Sequence, residues 1–157
     1  MKKIIIALSL LSFLFLMAFS ISQVTIASNT TVNHTVMLMP QDDGALSAER
    51  LAAGKAVYEG KGTCSVCHQP TGVGMPPTFP PLAKADYLLA DSKRAIRQTM
   101  YGSKEPITVN GTTYPGGIMT IVPLSDQEVT DVVNYILNSW GNKGGVVTLE
   151  DVKAERK

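Results

Sequence analysis

Residues 64 to 68 read Cys64-Ser65-Val66-Cys67-His68, and the chain of 157 residues holds no other cysteine. Two thiols at this spacing reach adjacent vinyl groups on one edge of a porphyrin, and an imidazole beside the second thiol swings under the iron. The motif predicts one covalently attached haem c, with Cys64 and Cys67 as the attachment thiols and His68 as an axial iron ligand. Other uses fit less well. A dithiol redox motif needs a strand before it and a helix after it, whereas Gly60-Lys61-Gly62-Thr63 precede the pair and Gln69-Pro70-Thr71-Gly72 follow it. Structural zinc needs four ligands, and beyond the triplet the chain offers only His34. A plain disulfide leaves the histidine unexplained.

Toward the N-terminus, Met1-Lys2-Lys3 leads into an apolar run from Ile4 to Phe19, followed by small residues up to Thr25-Ile26-Ala27. A short positive region, an apolar region and small residues are the three parts of an export signal. Residues 1–27 are read as a signal peptide cleaved after Ala27, with a retained anchor over residues 4–26 as the alternative, since that span suffices to cross the hydrocarbon core. Either way the domain sits in the periplasm or another extracytoplasmic space. Residues 28–45 mix small polar residues with Pro40 and Gly44 and read as a flexible linker; its His34, Met37 and Met39 are spacer residues rather than a copper site.

The net charge is +1, from 14 basic and 13 acidic side chains. Removing Lys2 and Lys3 with the leader leaves 12 against 13, a balance of −1. Without a clustered basic face, nucleic acid is excluded as a partner.

Within the folded part, a helix is expected from Ser47 to Glu59, capped by Ser47, with Leu51, Gly54 and Tyr58 on one stripe. A second runs from Ser92 to Tyr101, with Ser92 as its cap, Ile96 and Met100 on one face and Gly102 as terminator. Between them lies a Pro-rich and Gly-rich loop. Residues 106–114 alternate β-branched residues around Asn110-Gly111 and predict a two-stranded hairpin. Ser125-Asp126-Gln127-Glu128 is a capping box, and Val129, Val132, Val133, Ile136 and Leu137 follow it as an apolar stripe ending near Trp140. A last short helix from Thr148 is expected to fray and to stand in solvent.

A second axial ligand must reach the iron from the face opposite His68. Met37 and Met39 lie in the linker, Met75 is seven residues past His68, and Met100 belongs to a helix core stripe. Met119 lies in the irregular stretch Gly116-Gly117-Ile118-Met119-Thr120 and is the expected ligand, with a different ligand or an open position as the alternatives.

On these residues the chain resembles the class I cytochrome c family over residues 46–142, with residues 143–157 as a C-terminal extension. The resemblance implies an all-α fold of three to four helices around one covalent haem, here with a small β-hairpin insertion. It implies that Gly54, Tyr58 and Tyr135 form the crossing of the first and last helices of the domain. It also assigns Pro80, twelve residues after His68, as the carbonyl that accepts the imidazole N–H, and Leu82 as a residue packed on the haem edge. Pro76 to Ala83, Val109 to Gly111 and Asn138 to Asn142 further resemble cytochrome c domains associated with periplasmic copper nitrite reductases and dehydrogenases. One departure is that Thr120-Ile121-Val122 stand before Pro123, where the family places a proline directly after the ligand Met.

The resemblance implies a non-enzymatic carrier of single electrons, with redox proteins docking transiently at the haem edge. Membrane association follows only if the N-terminal segment is retained. Two alternatives remain at this point: a five-coordinate haem enzyme or gas sensor, and a fixed haem subunit of a larger complex with Val147 to Lys157 as a docking tail.

Overall fold

The computed structural model of the protein describes residues 46–156, so the leader, the linker and their His34, Met37 and Met39 lie outside the described residues. Helix α1, Ala48–Glu59, starts where expected: the Ser47 hydroxyl accepts from the Arg50 amide at 3.2 Å, satisfying one of the free amides of the first turn. The attachment motif forms a single helical turn, α2, Cys64–His68, flanked by Thr63 at φ 52° and Gln69 at φ 63°. These left-handed residues let the chain reverse on both sides of so short a helix.

Helix α3, Asp86–Ala90, falls within the stretch expected to be loop. Five residues are too few to carry a periodic signal, and its anchor is tertiary: Ala85 and Leu88 are buried in the core. Helix α4, Ser92–Tyr101, has the expected bounds, but its cap is Asp91 rather than Ser92. Asp91 is extended at φ −155°, which lets its carboxylate accept from the Arg94 amide at 3.0 Å, a bond that holds the carboxyl below its ordinary range.

The hairpin forms as β1, Ile107–Val109, and β2, Thr112–Tyr114, antiparallel, with Ile107 opposite Tyr114 and Val109 opposite Thr112. Asn110 and Gly111 both take positive φ, 49° and 79°, as a tight hairpin turn requires. The turn is also clamped from outside. The Asp86 carboxylate accepts from the Asn110 amide at 2.7 Å, and the Asn110 side-chain oxygen accepts from the Asp86 amide at 3.0 Å.

Helix α5, Asp126–Asn138, opens on the expected capping box of Ser125 and Glu128. Its burial exceeds the expected stripe: every residue from Val129 to Leu137 is buried, including Thr130, Asp131 and Asn134. An all-round buried helix must satisfy its polar groups internally. Thr130 donates to the Asp126 carbonyl at 2.8 Å, and Asp131 accepts from Gln127 at 2.9 Å and from Arg50 at 3.4 Å. Asn134 pairs with both backbone groups of Val147, at 2.8 Å each.

That last pair ties down the C-terminal segment. Helix α6, Leu149–Glu155, begins with a capping box of Thr148 and Asp151, packs against α4 and α5, and buries Val152 completely. Its Glu155 carboxylate lies 2.9 Å from the Arg97 guanidinium. The expectation of a frayed, solvated helix is therefore corrected: seven residues are marginal alone, and docking supplies the stability that length does not. Asn134→Ala strands the amide and carbonyl of Val147 in the core and is expected to cost on the order of 2–4 kcal/mol. Urea unfolding checks this, as a lower midpoint at unchanged slope.

Among the described residues, six helical segments and one two-stranded sheet surround a single core. None of these helices is long and apolar enough to cross a membrane.

Candidate haem site

Helix α2 stands on the rim of a cleft whose floor is apolar. Leu88, Ala95, Val132 and Ile136 line it from α3, α4 and α5, and Val109 and Tyr114 line it from the hairpin. Cys64, Cys67 and His68 line the rim, and Pro80, Leu82 and Met119 line the same cleft. The space is about 1270 Å³ with its solvent-open part included.

Several contacts orient the rim. His68 Nδ1 lies 2.9 Å from the Pro80 carbonyl oxygen. A carbonyl only accepts, so Nδ1 carries the proton and Nε2 keeps a free lone pair. Burial pushes the imidazole pKa down, against a smaller opposing pull from Pro80, and the neutral form is the one that binds iron. The loop carrying Pro80 is folded back onto α2: Gly74 donates to the His68 carbonyl at 3.0 Å and Leu82 to the Gly72 carbonyl at 2.7 Å. Cys64 donates weakly to the Gly62 carbonyl at 3.4 Å, and burial pushes its thiol up to about 11. The two thiols are free of each other.

The same turn is held from behind. Tyr58 donates to the Gln69 carbonyl at 2.7 Å and Trp140 to the Pro70 carbonyl at 3.1 Å, fixing the carbonyls of the two residues that follow His68. Tyr58, Tyr135 and Trp140 form a mutual ring cluster with centroids 5.3 to 5.4 Å apart, within the favourable range for tilted and edge contacts. Sequence reasoning found Gly54, Tyr58 and Tyr135 at this crossing and missed Trp140, although it is the one tryptophan of the chain and follows α5 closely. It also missed Lys61, whose ammonium lies 2.8 Å from Glu128. That partner first, and the Ser125 amide second, hold the Glu128 carboxyl down to about 2. The pin is thus complete above the ordinary carboxylate range and is lost as pH falls through the lowered value. Polar groups reach the cleft through Tyr87 and Gln98, whose side chains lie 3.3 Å apart, with the Arg94 guanidinium 3.8 Å over the Tyr87 ring. Neither was singled out in the sequence.

The donor set fits a porphyrin-borne metal. Among the described residues no group of three or more His, Cys, Asp or Glu could cage a bare ion, whereas two thiols and an oriented imidazole on the rim of an apolar cleft suit a covalently held haem. Met75 and Met100 do not line the cleft, and Met100 is buried in the core.

A mostly helical domain that turns a Cys-x-x-Cys-His motif onto such a cleft has the fold of a class I c-type cytochrome, binding one covalent haem c. The chain belongs to the cytochrome c family, whose model matches residues 51–140. It is 34% identical over 125 residues to cytochrome c-552 of Thermus thermophilus, covering 71% of this chain and 84% of that one. It is 32% identical over 123 residues to the cytochrome c subunit of the quinone alcohol dehydrogenase of Gluconobacter oxydans, covering 74% of this chain and 25% of that one. A second such subunit, from Gluconacetobacter polyoxogenes, is 34% identical over 94 residues, covering 57% of this chain and 19% of that one. The family makes the protein a haem-bearing cytochrome of electron transport.

Proposed function

We propose that the protein carries single electrons in the periplasm or another extracytoplasmic space through a haem c ligated by His68 and Met119. Thioethers to Cys64 and Cys67 hold the haem, and Leu82 packs against its edge. The observation that carries this reading is that Met119 lines the same cleft as His68, whose imidazole is neutral and fixed by Pro80. When bound, the haem supplies a one-electron iron couple. With His68 and Met119 both holding the iron, no open position would remain for substrate, and the activity would be electron exchange rather than catalysis. A thioether ligand and an apolar cleft both favour the reduced iron and raise its potential.

The N-terminal charge and apolar run support export, as a cleaved signal over residues 1–27 or an anchor over 4–26, with residues 28–45 as linker. Residues 46–142 form the cytochrome domain proper, and residues 143–157 are its extension. Redox proteins dock transiently at the haem edge. The alcohol dehydrogenase relatives support a dehydrogenase as one partner, and nitrite reductases and terminal oxidases belong to the same class of respiratory oxidoreductases.

The test is the ferric spectrum of the exported, haem-loaded protein at long wavelength, where a weak sulfur-to-iron charge-transfer band requires Met ligation. The parent is expected to show the band, and Met119→Ala to lose it with a fall in midpoint potential. A band that survives Met119→Ala assigns the ligand elsewhere. A parent without it points to the five-coordinate enzyme or sensor.

A further inference from the structure

Met119 has no helix or strand of its own and is 37% exposed, so something else must fix where its side chain sits. The hairpin does not end at β1 and β2. Beyond Ile107 and Tyr114 the two arms run on side by side. A Cβ on Gly116 would stand 2.3 Å from the Lys104 carbonyl oxygen and 2.5 Å from the Glu105 carbonyl carbon. The Gly117 amide donates to the Ser103 carbonyl at 2.7 Å. A Cβ on Gly102 would stand 2.3 Å from the Met119 carbonyl oxygen. These contacts follow the register of the hairpin to within one residue, and they bring two backbones closer than any side chain at Gly102 or Gly116 permits.

We propose that the hairpin and its extension form one arm that places Met119, with Gly102 and Gly116 as positioning residues; the inference rests on Met119 being the iron ligand. The arm is fixed at three points. At its tip, Asn110 is clamped to Asp86 at the start of α3. Along its middle, Val109 and Tyr114 are buried in the core. At its base, Gly102 ends α4, so the backbone that the Met119 peptide rests against is set by the last turn of a packed helix. Gly102 has φ 73° and ψ −177°, a region open essentially to glycine alone. A side chain there is both strained and in collision with a carbonyl that no rotamer change moves aside. Gly116 meets the same close approach from the other arm. In this geometry the close seating of residues 116–119 on residues 102–105 does the work of a proline after the ligand, holding the loop where Thr120 leaves the backbone free to turn.

The experiment compares the long-wavelength ferric band of haem-loaded parent, Gly102→Ala, Gly116→Ala and Gly145→Ala. Gly145 has φ 79° and nothing within 4 Å of its added Cβ, so it tests a side chain at positive φ, as Gly102 does, without touching the arm. Haem staining on a denaturing gel and far-ultraviolet circular dichroism report attachment and folding. The expected result is a full band in the parent and Gly145→Ala and loss of most of it in Gly102→Ala and Gly116→Ala, with haem still attached. Gly116→Ala adds its Cβ without left-handed strain, and it decides the matter if Gly102→Ala fails to fold. A parent with the band and arm variants that keep it overturn this inference and leave the Met119 reading standing. A parent without the band overturns both.

Discussion

Replacing both Cys64 and Cys67 with Ala is expected to abolish covalent haem, leaving a chain whose mass under denaturing conditions is that of the polypeptide alone. No other cysteine exists to take over either bond. The effect extends beyond the cofactor. Leu88, Ala95, Val132 and Ile136 belong at once to the cleft wall and, by burial, to the hydrophobic core. Without the macrocycle these faces lose their packing partner, and surrounding atoms close such a gap only in part. The variant is therefore expected to lose helical signal and cooperative unfolding as well as haem stain. A variant that keeps a haem band on a denaturing gel removes these thiols from their assigned role. One that loses haem but unfolds as cooperatively as the parent shows the core to be independent of the cofactor.

Gly54→Ala is expected to destabilise the holoprotein by about 2 kcal/mol or more, although helix propensity alone predicts the opposite sign. In an exposed helix the change gains about 1 kcal/mol. Here the added Cβ would lie 2.1 Å from the Asp131 carbonyl oxygen and 2.7 Å from Tyr135 Cβ, where α1 crosses α5. Nothing at that contact is a flexible side-chain end, so the two helices must separate. Overpacking of this kind costs roughly 1–3 kcal/mol, sometimes more, before the loss of neighbouring contacts. Those contacts include the Tyr58–Tyr135–Trp140 cluster and the Arg50–Asp131 pair. Thermal unfolding checks the sign: at about 4–8 °C per kcal/mol for a domain of this size, Tm falls by roughly 10 °C. An unchanged or higher Tm means that α1 and α5 do not pack this closely in solution.

The same crossing shows how the attachment site is built into the fold. Tyr58 is a core residue of α1 and donates to the carbonyl of Gln69, the residue directly after His68, and Trp140, just past α5, donates to that of Pro70. The helix pair thus holds the haem-bearing turn from behind while Pro80 holds its imidazole from the front.

Much of this was legible from local signals. Cys64 to His68 specify their chemistry by spacing alone, because attachment needs only two thiols and an imidazole on neighbouring positions. The Ser125 capping box and the Asn110-Gly111 turn are equally local, since the atoms that satisfy each other lie within four residues. Ser47 capped its helix for the same reason. Other features depended on what lies opposite in space. Asp91 rather than Ser92 caps α4, because its extended backbone aims the carboxylate at the Arg94 amide. Thr130, Asp131 and Asn134 lie outside the apolar stripe of α5 and are buried all the same: α1 brings Arg50 to Asp131, the C-terminal segment brings Val147 to Asn134, and Thr130 is satisfied within the helix by the Asp126 carbonyl. Helix α6 was too short to persist alone, and only its docking decides that Val152 is core. Within the site, the residues that bind are chemically distinctive and stand out in the sequence, whereas those that position them do so through backbone contacts. Gly102 and Gly116 read there as a helix stop and a loop residue; that they leave room for the Met119 arm follows only from two chain segments meeting in three dimensions.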